Sequence, residues 1–332
     1  MMPKPVAGSP ASMKTMMKTA EELMKERMME NLLKDDLAPF IEYLDDDEVT
    51  DIAVPDSGEL IVTRFGKGRE FTGKIIQPYL VERVIKATAS IIGKSLESYT
   101  GFPLLEGRIP KYNARITGLM PPTCERPELQ IRKPPKRIYT LEEYVEHGQM
   151  PKDIYEKLCS VIEKRGNIIV SGSTGSGKTT CTNTIIKKMC EFTPDDNFYV
   201  VEDTPELQCS ARMKTMLCIS KEFAQKAVEE SLRFSPDRII FGEVRNGLVM
   251  HELLDAWKTG HSGNVTTIHS NDCKAALMRI RSMVGAGDKD MADHLSEVIQ
   301  LVIHLKKTKD GIRVDDFMPV TEETDRQLAS WI

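Results

Sequence analysis

Asn167 to Thr180 reads NIIVSGSTGSGKTT, and this stretch decides the fold. It runs from a short apolar strand into a glycine-rich turn and then into a helix. Gly172, Gly177, Lys178 and Thr179 satisfy the phosphate-binding pattern G-x-x-x-x-G-K-[ST], and Gly175 keeps the turn clear of side chains where a polyphosphate must approach. Ser173, Thr174, Ser176 and Thr180 complete a loop whose backbone N–H groups and helix start would point at phosphate oxygens. Lys178 then supplies a point charge to the β and γ oxygens, and the Thr179 hydroxyl is placed for Mg²⁺. Ile168, Ile169 and Val170 make a buried strand and Gly166 closes the helix before it, which is the context such a loop requires.

Outward from this loop the pattern alternates. From Pro151 onward a helix over Lys152 to Arg165 precedes the loop, and strands are expected at Asn197 to Val201, Thr215 to Ile219, Arg238 to Phe241 and Val265 to Ile268. Helices between them predict a mostly parallel sheet with nucleotide at the carboxyl ends of its strands. Leu301 to Leu305 and Ile312 to Phe317 read as a closing hairpin through Asp310-Gly311. Residues 151–332 therefore form an α/β domain.

Upstream the chemistry changes. Residues 1–37 read as a mobile tail followed by a methionine-rich helix, with Met13, Met17, Ala20, Met24, Met28 and Leu32 on one stripe. Residues 38–133 predict a smaller α+β domain, with strands at Thr50 to Val54, Glu59 to Arg64 and Glu70 to Ile76 and a turn over Gly66 to Gly68. A helix from Pro78 to Ile92 and strands at Ala114 to Leu119 and Glu128 to Arg132 complete it. Pro134 and Pro135 open a linker over 134–150, where Thr140-Leu-Glu-Glu143 is a capping box.

The chain has 332 residues, enough for two cores, and its 40% hydrophobic and 29% charged residues are those of an ordinary globular protein. No apolar run approaches the roughly 18 residues a bilayer span needs. Lys14, Lys18, Glu21 and Glu22 interrupt the N-terminal methionines, so no secretory leader is expected. A net charge of −5 gives no electrostatic footprint for nucleic acid, so direct nucleic-acid binding is not expected. The odd count of 7 cysteines, with no C-x-x-C pair, suits reduced thiols and argues against a zinc site or a disulfide framework.

Hydrolysis needs carboxylates beside the phosphates. Glu202-Asp-Thr-Pro-Glu206 closes one strand with a cluster that would repel itself without a cation. Arg238-Ile-Ile-Phe-Gly-Glu243 closes another on one carboxylate, with Gly242 where many phosphate-loop ATPases carry Asp, which favours a water-mediated role for Glu243. His261 and His269 flank the next strand, and His269 falls beside the presumed γ-phosphate.

The phosphate loop, the Glu-Asp-x-Pro-Glu box, the Pro-Asp-Arg-Ile-Ile-Phe-Gly-Glu-Val-Arg segment and the Gly-His…Thr-Ile-His box together resemble the type II/type IV secretion traffic ATPases. Ala114-Arg-Ile-Thr-Gly-Leu-Met-Pro-Pro122 and Ile131-Arg-Lys133 are similar to the conjugal-transfer branch of that family. The resemblance implies a RecA-like ATPase domain, ATP and Mg²⁺ as cofactors, and a homohexameric ring. It places the protein in the cytoplasm, peripherally at the inner membrane, with proteins of a secretion or conjugation complex as partners. By matching motif, Glu206 would orient or deprotonate the attacking water, Thr179, Glu243 and Glu202 would serve the metal, and His269 would sense the γ-phosphate. Arg108, Arg115 and Arg132 are the cations that would reach the phosphates from the first domain, Arg132 foremost, with Arg233 and Arg279 behind them. A type II secretion or type IV pilus motor is the alternative within the same family.

Overall fold

Apolar residues along this chain close three buried clusters, one in the first of two compact units and two on the faces of the second unit's sheet, and the chain divides between the units chiefly between residues 134 and 135. The computed structural model describes residues 24, 27–29, 32–64, 67–96, 102–134, 137–308 and 311–330. Expectations for the tail, for most of the methionine-rich helix, and for Gly66, Pro135 and Asp310 lie outside these. Of the methionine stripe, Met24 is exposed, while Met28 and Leu32 pack into the first core.

The first unit is one antiparallel sheet with helices against it. Its strands are β1 (Val49–Val54), β2 (Glu59–Arg64), β3 (Gly68–Ile75), β4 (Leu104–Ile109), β5 (Ala114–Leu119) and β6 (Glu128–Arg132), in the order β3-β2-β1-β6-β5-β4. Helices α1 (Ala38–Asp45) and α2 (Pro78–Ile91) complete it. Proline in its first turn starts α2, and Val81, Val84, Ile85 and Thr88 form the 3.6-residue stripe that it buries. A Cβ at Gly118 on β5 would stand 2.6 Å from Ile85, so glycine there lets the helix lie directly on the sheet.

The second unit is a doubly wound sheet. Strands β7 (Ile168–Gly172), β8 (Asn197–Glu202), β9 (Met213–Cys218), β10 (Arg238–Phe241), β11 (Val265–Ile268), β12 (Leu301–Thr308) and β13 (Gly311–Pro319) run in the order β13-β12-β7-β11-β10-β8-β9. Every neighbouring pair in it is parallel except β12 with β13, whose hairpin closes the sheet. Side chains alternate between two covered faces: Ile168 and Val170 join one core, and Ile169 joins the other. Helices α3 (Leu141–Glu146), α4 (Lys152–Glu163) and α5 (Lys178–Phe192) come first, then α6 (Ala224–Ser231), α7 (Gly247–Lys258), α8 (Cys273–Gly285), α9 (Lys289–Asp293) and α10 (Glu322–Ser330). The capping box of α3 forms, Thr140 Oγ1 accepting from Glu143 N at 3.2 Å and Glu143 Oε2 from Thr140 N at 2.8 Å. Leu141 and Tyr144 of this helix are buried in the second unit's core, so the stretch read as a linker is partly core.

The amino-terminal edge of this sheet is held by polar groups that satisfy one another. Asn167 Oδ1 accepts the N–H groups of Gly263 and Asn264 at 2.9 and 3.0 Å. Fully buried Arg238 donates through Nε to Asp196 at 2.7 Å, through Nη2 to Thr193 Oγ1 at 3.0 Å, and through Nη1 to the Gly263 carbonyl. Burial alone would raise the Asp196 carboxyl, but Thr193, Arg238 and Arg165 together hold it below the ordinary 3.8. Its pKa is lower folded than unfolded, so its stabilisation is present above pH 3.8 and is lost as pH falls through the folded value. Breaking a buried pair strands the surviving charge. Asp196→Asn is expected to lower unfolding free energy by about 3 kcal/mol at neutral pH, read from denaturant titration, and to narrow the gap from wild type in strong acid.

Candidate nucleotide-binding site

The four strands that end in the motifs read from sequence are neighbours, in the order β7-β11-β10-β8, so their carboxyl ends bring the loop, His269, Glu243 and Glu202 to one edge. At β7 the chain leaves through Gly172 at φ +153°, and Gly175 and Gly177 take φ of +73° and +84°. A Cβ at Gly172 would stand 2.6 Å from the Leu305 carbonyl and closer still to Ser176 Oγ, so no larger residue fits. The first turn of α5 has Gly177 as its N-cap and no capping side chain, leaving its amides for an anion. Lys178 is buried, and its Nζ donates to the Gly172 and Ser173 carbonyls, each at 3.0 Å, and lies 3.3 Å from His269 Nδ1. The lysine is thus folded back over its own loop. Buried Ser176 Oγ has no hydrogen-bond partner among the described residues.

The acidic box is held at both ends. Buried Glu202 at the end of β8 accepts the amides of Glu206 at 2.8 Å and Leu207 at 2.9 Å through one oxygen. From α5, Asn183 donates to the Glu206 carbonyl at 2.9 Å and accepts from Gln208 N at 2.8 Å. These ties place Glu206 Oε2 3.3 Å from Thr179 Oγ1, which donates to it. Glu202, expected among the metal-serving residues, has its Oε2 committed to shaping this loop. The same packing explains Gly242: a Cβ there would lie 3.1 Å from Glu202 Cβ, and an aspartate would add a second carboxylate. Asn183 carries no motif of its own; only its position four residues after Thr179, on the same helical face, could have marked it.

A second chain of charges runs from the lysine. Lys178 faces His269 Nδ1, leaving Nε2 toward Glu243 Oε1 at 2.5 Å. That contact is close but is not aligned as a hydrogen bond, and this buried oxygen has no hydrogen-bond partner among the described residues. Glu243 Oε2 accepts Arg245 Nε at 3.1 Å and Nη2 at 2.6 Å, and Arg245 Nη1 reaches Asp203 at 2.5 Å. Burial and the Lys178 charge depress the His269 pKa below 6.5, against the pull of Glu243, so the ring is neutral near pH 7. Arg245, the last residue of the Pro236 to Arg245 segment, received no role of its own from sequence. Arg279 holds the His269 carbonyl at 2.9 Å, whereas Arg233 pairs with Glu230 on the surface, and His261 at the far end of β11 meets the Pro236 carbonyl at 2.7 Å. Among the described residues no group of three or more His, Cys, Asp or Glu side chains forms a metal cage. A Mg²⁺ carried by phosphates and waters needs only one or two protein oxygens, and the Thr179 hydroxyl and the orphaned Glu243 Oε1 fit that demand.

Within the first unit, Arg108, Arg115 and Arg132 prove to be directly opposite one another across β4, β5 and β6, with Asp51 of β1 next in the row. Cross-strand partners share a face, and like charges so placed repel. Arg132 donates to Asp51 at 3.0 Å, and Arg108 to the Asn113 carbonyl and side chain at 3.1 and 3.0 Å.

Fold and site together define a phosphate-loop protein with a RecA-like domain. Residues 34–327 match the model of the type II/IV secretion system protein family, and the chain belongs to that family. It is 35% identical over 279 residues to a probable conjugal transfer protein TrbB of Sinorhizobium fredii, covering 83% of this chain and 85% of that one. With the type IV secretion system protein VirB11 of Bartonella quintana it shares 27% over 264 residues, 64% of this chain and 72% of the relative. Among solved structures, the Yersinia pseudotuberculosis ATPase DotB matches at TM-score 0.64 and 19% identity, covering 91% of this chain and 82% of that one. The pilus retraction motor PilT with bound ADP matches at TM-score 0.60 and 18% identity, over 88% and 85%. The two structural likenesses establish the fold.

Gly172→Ala is expected to weaken binding of a fluorescent ATP analogue at least tenfold, or about 1.4 kcal/mol, with circular dichroism unchanged. Wild-type affinity in that variant would mean that the loop tolerates a Cβ where the packing forbids it.

Proposed function

We propose that this chain hydrolyses ATP and couples hydrolysis to domain motion in a type IV secretion or conjugation machine. The observation that carries the reading is the meeting of Thr179 Oγ1 and Glu206 Oε2, 3.3 Å apart, at the mouth of the loop that holds Lys178. A hydroxyl suited to a nucleotide-bound cation and a carboxylate suited to a water occupy one spot. Bound with the triphosphate, Mg²⁺ supplies neutralisation of charge on the β and γ oxygens.

The protein's own groups would do the rest. Lys178 exchanges its loop carbonyls and His269 for phosphate oxygens, so arrival of the γ-phosphate releases His269 Nδ1 and reports occupancy to Glu243. Glu206, held by Glu202 and Asn183, orients or deprotonates the water. General-base assistance of this kind contributes about 10² to 10⁴ in rate. The row of Arg108, Arg115 and Arg132, with Arg132 foremost, gives the first unit one basic face of a kind that takes a polyanion.

The similarity to TrbB favours conjugation over the pilus-motor alternative, since the PilT likeness concerns the fold. We further propose a homohexameric ring that docks on proteins of an inner-membrane complex from the cytoplasmic side, without contacting nucleic acid directly. No helix among the described residues is long and apolar enough to cross a membrane.

Lys178→Ala should abolish phosphate release, and normal turnover by that variant would reject the site. Glu206→Gln should keep its ATP affinity while kcat falls about 100-fold or more. An unchanged kcat would move the base elsewhere, Glu243 being the nearest alternative.

A further inference from the structure

Two cysteines stand behind the acidic box. Cys190 lies in the last turn of α5, and Cys209 follows Glu206 by three residues. Their sulfurs are 3.9 Å apart, both thiols are free, and both side chains are buried but not sealed, at 8% exposure each. The amides of Ser210 and Ala211 also turn toward the Cys190 sulfur. The two elements joined here are the ones that set the Thr179–Glu206 contact.

We propose that Cys190 and Cys209 form an oxidisable dithiol, converted by a hydroperoxide into an intrachain disulfide that fixes the Glu206 segment to the phosphate-loop helix. The step balances as follows. The Cys190 sulfur attacks one peroxide oxygen and the O–O bond breaks; the departing hydroxide takes the thiol proton and leaves as water, giving a sulfenic acid. The Cys209 sulfur then attacks the Cys190 sulfur, the S–O bond breaks, and a second water leaves with the Cys209 proton. Two thiols lose two electrons and two protons, and hydrogen peroxide becomes two waters.

The surroundings select this pair. A hydrogen bond from Cys209, with those from Ser210 and Ala211, favours the Cys190 thiolate, and the thiolate is the nucleophile. Burial pushes the thiols of Cys181 and Cys273 up, Cys181 to about 12, which makes them poor competitors. Closing the sulfurs to a disulfide length needs an approach of about 1.9 Å, within reach of a loop held by hydrogen bonds. Glu202 and Asn183 hold the box through hydrogen bonds alone, which can break and re-form. A covalent tie removes that freedom and slows turnover. This consequence rests on the role proposed for Glu206; the disulfide itself does not.

The full chain is treated with hydrogen peroxide, alkylated, digested and mapped by mass spectrometry, with phosphate release measured in parallel. A cross-linked peptide pair joining Cys190 to Cys209, two hydrogens lighter, is expected, with turnover reduced about tenfold, ATP affinity changed less than twofold, and recovery in dithiothreitol. Cys209→Ala should keep its turnover after peroxide, and Cys190→Ala serves the same purpose if the first variant misfolds. The proposal is overturned if both thiols are recovered alkylated at peroxide levels that oxidise exposed Cys218, whereas a mapped disulfide that leaves turnover unchanged overturns its link to Glu206 and not the dithiol. Phosphate release that persists in Lys178→Ala would sink the ATPase reading and leave the mapped disulfide standing.

Discussion

One buried carboxylate governs the working edge of the second unit. Glu202 spends one oxygen on two consecutive backbone amides, and this bends the chain after β8 so that Glu206 returns toward α5. A buried carboxylate is tolerated where it accepts several such bonds. From that bend follow the Asn183 clamp, the approach of Glu206 to Thr179, and the tight space beside Gly242, where a Cβ would press on Glu202. An acidic cluster that would otherwise fly apart becomes a scaffold because its members do different work: Glu202 faces backbone, Asp203 faces Arg245, and Glu206 faces the helix start.

The second constraint is the way the lysine, histidine and glutamate are strung together. Two loop carbonyls and the neutral His269 ring surround the Lys178 ammonium and keep the cation in place over its own loop. Glu243 is satisfied on one oxygen by Arg245 and left short of a proper donor on the other. The deficit sits beside the histidine, where a small change in ring position changes how well the carboxylate is paired.

Much of the second unit was legible because its signals are local. The phosphate loop, the apolar runs of β8, β10 and β11, and the capping box of α3 each depend on residues a few positions apart. The signals that failed are those set by contacts distant in sequence. Leu104 to Ile109 lacks strict alternation and carries Gly107, so β4 shows itself only through its pairing with β5. Asn183 reads as an indifferent helix residue until the box folds over it. The alignment of Arg108, Arg115 and Arg132 is a matter of strand register, which no single stretch encodes. Leu141 and Tyr144 announce a helix, but not that a core will cover it.

The two edges of the doubly wound sheet are built to different standards. At the amino edge Arg238, Asp196, Asn167 and Asn264 close a buried network in which removal of any one partner strands the others. At the carboxyl edge the ties are to loop carbonyls and amides and to partly exposed charges, which a ligand can replace. Mechanical compliance is therefore graded along the strands, stiff at the rear and yielding at the front. A displacement started at the phosphate loop would meet rising resistance along the strand axis and would spend itself sideways, across β11, β10 and β8.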